Sequence, residues 1–219
     1  VEKFLAETAL SYDHAGRMLL HVGTPDFTRY SEKIYGRPDR VYKLQGLTGV
    51  DGAKFFLEVT NNLLGNPQIQ STETNISASS FAKSIKAVVD DFFVHDDVAI
   101  VLDPNMSSKA LAGATRIRIR DGAMFSQLDR DQLIHHEAFV HSATQLNGRK
   151  QHNLKSLGLG APRTTRHQEG IAVLAELITN SIDISRLRRI ALRVIAVQMA
   201  LDGADFIDLF KYFLEEGQS

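Results

Sequence analysis

At 219 residues, with 43% hydrophobic side chains, the chain is long enough to bury a sizeable core, and a single domain over residues 1–219 is expected. Its 25 basic and 26 acidic residues leave a formal charge of −1, which excludes a global electrostatic attraction to nucleic acid or to a membrane surface. No apolar run approaches the roughly 18 residues that span a bilayer, no basic stretch leads into an apolar one at the N-terminus, and the absence of cysteine excludes disulfides and thiolate ligands, so a cytoplasmic location is expected.

The first third reads as helical, over residues 2–20, 27–35 and 50–64, with Gly and Pro as punctuation. Asn66-Pro67 opens a connection. Phe81, Ile85, Val88, Val89 and Phe92 then recur at helical spacing and predict an amphipathic helix over residues 77–93. The period changes after that. Residues 98–102 form a short apolar run suited to a buried strand, and residues 115–120 alternate Ile with Arg as a half-exposed strand does. Helices return over residues 129–146, 165–180, 185–201 and 204–215, and Asn147-Gly148 offers a left-handed cap to the first of them. The fold class expected is α+β, mostly helical, with a small sheet beside the 129–146 helix.

The chemistry concentrates in His136-Glu137-Ala138-Phe139-Val140-His141, where two imidazoles and a carboxylate share one short stretch. Catalytic zinc commonly takes three His or carboxylate ligands and leaves the fourth position to water, whose pKa falls to about 7. In the familiar His-Glu-x-x-His motif the histidines are four apart and share a helix face. Here they are five apart, which on a regular α-helix leaves the second imidazole about 140° from the first. A π-bulge between Glu137 and His141 would absorb the extra residue, and such bulges are frequent at functional sites. The pair alone is weak, because the chain has eight histidines and Glu137 and His141 are also spaced for an ordinary helix-face contact.

The second segment strengthens the first. Residues 163–176 read as a helix with an apolar stripe at Ile171, Leu174, Ala175 and Ile178, and Glu169 lies near its start. Glu176 follows seven residues later and returns to nearly the same face, which allows Glu169 to bind a metal while Glu176 hydrogen-bonds a ligand imidazole.

Together, 135–148 (His135-His136-Glu137-Ala138-Phe139-Val140-His141-Ser142-Ala143-Thr144-Gln145-Leu146-Asn147-Gly148) and Gln168-Glu169-Gly170-Ile171-Ala172-Val173-Leu174-Ala175-Glu176 resemble the HExxxH metallopeptidase family. That family includes the microtubule-associated tyrosine carboxypeptidases and bacterial flavohaemoglobin expression-modulating QEGLA-motif proteins. The order of the two motifs, and the 28 residues from His141 to Glu169, match its arrangement. Ser31-Glu32-Lys33-Ile34-Tyr35-Gly36-Arg37-Pro38 resembles its early S-x-x-x-Y-G-x-P element, and Arg116-Ile117-Arg118-Ile119-Arg120, with Gly122 and Phe125-Ser126, resembles its strand before the zinc helix. Ile171 stands where the QEGLA motif has leucine, a volume-conserving exchange.

The resemblance implies a zincin-like helical domain, Zn2+ as cofactor, His136, His141 and Glu169 as ligands, and Glu137 as the catalytic glutamate. It implies a carboxypeptidase acting on the C-terminal end of a peptide or protein, with an aromatic last residue. It also implies a basic, glycine-rich segment beyond Ser219, so that the chain, which starts at Val1, is expected to be a fragment. A substrate carboxylate needs a cation, for which Arg116, Arg118, Arg120, Arg163 and Arg166 are candidates. His167, His152 or a tyrosine could stabilise an oxyanion. By analogy with other zinc peptidases, the 115–120 strand is expected at the sheet edge, where an extended substrate pairs. The competing expectation is a regulatory or interaction protein with a structural or vestigial metal site; the oligomeric state is left open.

Overall fold

The computed structural model describes residues 1–43, 46–64, 74–113 and 115–217. The connection expected at Asn66-Pro67 lies outside them. In chain order the elements are α1 (Glu2–Leu20), α2 (Pro25–Tyr35), α3 (Gly49–Leu64), β1 (Ile76–Ser77), α4 (Ala78–Phe92), β2 (Ala99–Asp103), β3 (Ala110–Ala112), β4 (Arg116–Arg120), β5 (Met124–Phe125), α5 (Gln127–Leu133), a π-helix (Ile134–Ser142), α6 (Ala143–Arg149), a 3-10 turn (Lys155–Gly158), α7 (Pro162–Ile178), α8 (Ile184–Leu201) and α9 (Phe206–Glu215). This is a mostly helical α+β architecture with small sheets. No helix among the described residues is long and apolar enough to cross a membrane.

The chain divides into two compact units, Val1–Gln70 with Asp183–Ser219, and Ser71–Ile182. In the first, α1 packs on α2 across a turn in which Gly23 takes the left-handed φ of 82°, and Pro25 starts α2. α3 lies along α8, with Ala53 buried on one and Ala191, Leu192 and Ala196 on the other. α9 packs against α8.

The second unit carries the sheet. Its core joins Phe81, Ile85 and Val89 of α4 to Ile117 and Ile119 of β4, and to Leu133, Ile134, Ala138 and Leu146 along α5, the π-helix and α6. Phe81 stacks on Phe125 at 3.8 Å between ring centroids. α4 starts where Ser77 accepts a hydrogen bond from the Ser80 amide, the usual way of satisfying an open helix end.

Three expectations change. The 115–120 strand is not an edge: β4 runs parallel to β2 and antiparallel to β3, so it is central in the order β2-β4-β3. β3 was missed because Ala-Leu-Ala is short and poor in strand formers. Asn147-Gly148 does not cap the helix, which continues through Arg149. Gly148 instead permits a close crossing, since a Cβ there would lie 2.3 Å from the Gly158 amide nitrogen. Lastly, the α7 stripe faces outward, with Ile171, Leu174 and Ile178 at 53, 55 and 74% exposure, while Ala172 and Glu176 are buried. α7 meets the π-helix on the side that carries both glutamates, Glu176 buried and Glu169 exposed.

Candidate metal centre

Ser126 and Asp129 start α5 with a reciprocal capping box, each side chain accepting from the other's backbone amide. Seven residues later the helix widens into the π-helix, where the Ala143 amide reaches the Ala138 carbonyl five residues back. In such a turn, residues five apart lie one above the other. His136 and His141 therefore share a side, with ring centroids 4.9 Å apart and planes inclined at 77°. Ile134 and Ala138 of the wider turn are buried in the core.

α7 supplies the third group. One Glu169 oxygen lies 3.5 Å from His136 Nε2 and the other 3.4 Å from His141 Nε2. Three potential ligand atoms, one from each residue, all lie within 4.8 Å of one another. Ligands at about 2.0–2.2 Å in tetrahedral geometry sit roughly 3.3–3.6 Å apart, the separation of each imidazole from its Glu169 oxygen, so the three residues could hold a small cation.

The donor set points the same way. Glu176 is fully buried and its Oε1 is 2.5 Å from His136 Nδ1. A carboxylate there fixes the proton on Nδ1, which leaves Nε2 with a lone pair aimed at the Glu169 carboxylate. In that tautomer two acceptors would face one another across 3.5 Å, an arrangement that a cation between them would reconcile.

Glu137 stands beside the cluster, 4.0 Å from His136 Nε2. Burial pushes its carboxyl above the usual carboxylate range, and Glu169 adds to the rise; His136, His141 and a hydrogen bond from the Ala112 backbone oppose it.

The model of the microtubule-associated tyrosine carboxypeptidase family matches residues 1–219. The chain belongs to this family. The resemblance carried by the two motifs thus names the right one, and the match spans both compact units of this tyrosine carboxypeptidase family member. No curated protein and no solved structure matches it.

The remaining candidates are scattered in this family member. Arg118 reaches Asp103 Oδ2 at 3.4 Å and Arg120 donates to the Ser107 carbonyl at 3.0 Å, both on the sheet face opposite the buried isoleucines; Arg116 is exposed on that face. Arg163, Arg166 and His167 occupy the first turns of α7, with Arg166 three residues before Glu169 and so nearest it on the helix surface. His152 is exposed beyond α6. Sequence reasoning missed Ser142, fully buried with its hydroxyl on the Gly113 carbonyl at 3.0 Å, and the Ala112 amide. The signal for Ser142 was a small polar residue one place after His141; a backbone donor leaves no signal in residue type.

Proposed function

We propose that the chain is a zinc-dependent metallopeptidase that removes a C-terminal residue, aromatic by the family's name, from a peptide or protein. The observation that carries this is the convergence of His136, His141 and Glu169, with Glu137 alongside, in a chain whose whole length matches a carboxypeptidase family. His136 Nε2, His141 Nε2 and a Glu169 oxygen would hold the metal, and three protein ligands leave a position open for chemistry. When bound there, zinc supplies a Lewis acid that acidifies water and polarises a scissile carbonyl.

The chain's own groups do the rest. Glu137 takes the proton of the attacking water and returns it to the leaving amine, with no covalent intermediate. Glu176 holds His136 in the tautomer that frees Nε2. The substrate's main chain would lie along β3: Gly113 donates to Arg116 and Lys109 accepts from Arg120, so Ala110 aims its amide away from β4, toward the sheet edge. Arg166 is the cation best placed for the terminal carboxylate.

Metal analysis paired with C-terminal trimming tests the reading. His136→Ala loses the metal. Glu137→Gln keeps it and loses turnover, and a peptide with an amidated C-terminus resists the wild type. Full activity in Glu137→Gln removes the base, and a metal-free but active wild type removes the mechanism.

A further inference from the structure

We infer that Ser142 is a positioning residue for His141: its hydrogen bond to Gly113, together with that of His136 to Glu176, clamps the π-helix near both ends and so keeps the two imidazoles on one side. This rests on His136, His141 and Glu169 forming the metal centre proposed above.

π-helical turns are rare, so a π-helix of nine residues calls for something outside it that holds it in that form. Two of its side chains hydrogen-bond to other elements. His136 Nδ1 pairs with Glu176 of α7 at 2.5 Å, and the last residue, Ser142, donates its hydroxyl to the Gly113 carbonyl at 3.0 Å. A helical Ser or Thr ordinarily bonds back to a carbonyl one turn earlier in its own helix. Thr8, Thr60 and Thr179 of this chain do so, on Phe4, Phe56 and Ala175, each at 2.7 Å. Ser142 is fully buried and reaches across to the end of β3 instead. The acceptor there is fixed, because the Gly113 amide donates to the Arg116 carbonyl at 2.8 Å and closes the turn into β4.

The two anchors together select the wide turn. On a regular α-helix Ser142, six residues after His136, would stand about 240° around from it. Where residues five apart are stacked, the sixth lies only roughly 70° further on. With His136 held on Glu176, a return to the α form therefore swings Ser142 off Gly113 and carries His141 away from His136 in the same motion. Leu146, buried one turn further along, holds α6 to the core, so loss of the hydroxyl loosens the turn without unfolding the helix.

The test compares the full chain as wild type, Ser142→Ala and Ser142→Cys, the last of which fills the site but donates weakly. In metal-free protein the NOE between the His136 and His141 ring protons, from rings 4.9 Å apart, should fade in both variants. Zinc, titrated in competition with a chelator, should bind both about tenfold more weakly, the lower end of the range for groups that hold a ligand in place. In a His141→Ala background Ser142→Ala should add no further loss, whereas in a Glu169→Gln background it should keep its tenfold effect. A general loss of stability would not single out one ligand. An undiminished NOE in Ser142→Ala, wild-type behaviour in Ser142→Cys, or an equal added loss in the two backgrounds overturns the inference. Should Ser142→Ala not fold, Ser142→Cys carries the comparison alone. The NOE needs no metal, so a wild type that binds no zinc would count against the metal centre and leave this inference to be judged on the ring contact.

Discussion

Glu176 is the residue whose cost and use are easiest to weigh. A fully buried carboxylate is expensive unless it is paired, and Glu176 pairs with a ring nitrogen of His136, also buried. Removing only the charge, in Glu176→Gln, keeps the size and leaves an oxygen that accepts from Nδ1 more weakly. Partners of this kind typically change metal affinity by about 10- to 100-fold, and that loss is expected in a chelator competition against zinc. Unchanged affinity would reduce Glu176 to a structural acid. The two glutamates were readable from the sequence because seven residues make nearly two helical turns, so one face was implied before any coordinates. The partner of Glu176 was readable only as a choice between imidazoles; packing of α7 against the π-helix selects His136.

At the scale of elements, periodicity located each helix to within about three residues of its observed ends, because burial of one face repeats along the sequence whatever the neighbours do. The five-residue histidine spacing asked for a local widening, and a nine-residue π-helix spans it. What periodicity could not see were contacts made by small residues. β3 has too few residues to show a period, and Gly148 was read through its backbone freedom when its lack of a side chain was the point. α6 and the 3-10 turn cross so closely at Gly148 that an added Cβ meets backbone on the other side: the Gly158 nitrogen at 2.3 Å, and the Leu157 carbonyl carbon and oxygen at 2.4 and 2.5 Å. Backbone cannot swing aside as a flexible side chain can. Gly148→Ala should therefore destabilise the protein by about 3 kcal/mol, the upper part of the range for overpacking, read as a lowered urea midpoint with unchanged slope. A neutral result would mean that the crossing is looser than these distances state.

On the scale of the whole molecule, the separation of the groups along the chain matters most. Local patterns said nothing of the pairing of the two chain ends, in which Asn61 and Arg188, 127 residues apart, approach to 3.0 Å. By contrast, every candidate ligand falls in the uninterrupted Ser71–Ile182 unit, yet on two different helices, with Glu169 28 residues after His141. A cation bound by all three would cross-link the π-helix to α7. Ligand that binds only the closed arrangement stabilises it by mass action, about 2.7 kcal/mol at a free concentration one hundred times the dissociation constant. Hydrogen exchange should therefore slow on adding zinc along both segments, residues 134–149 and 162–178, and return to its former rate when a chelator is added. Protection confined to residues 134–149 would leave the histidines as ligands and remove Glu169 from the set, and protection in neither segment would remove the metal centre itself.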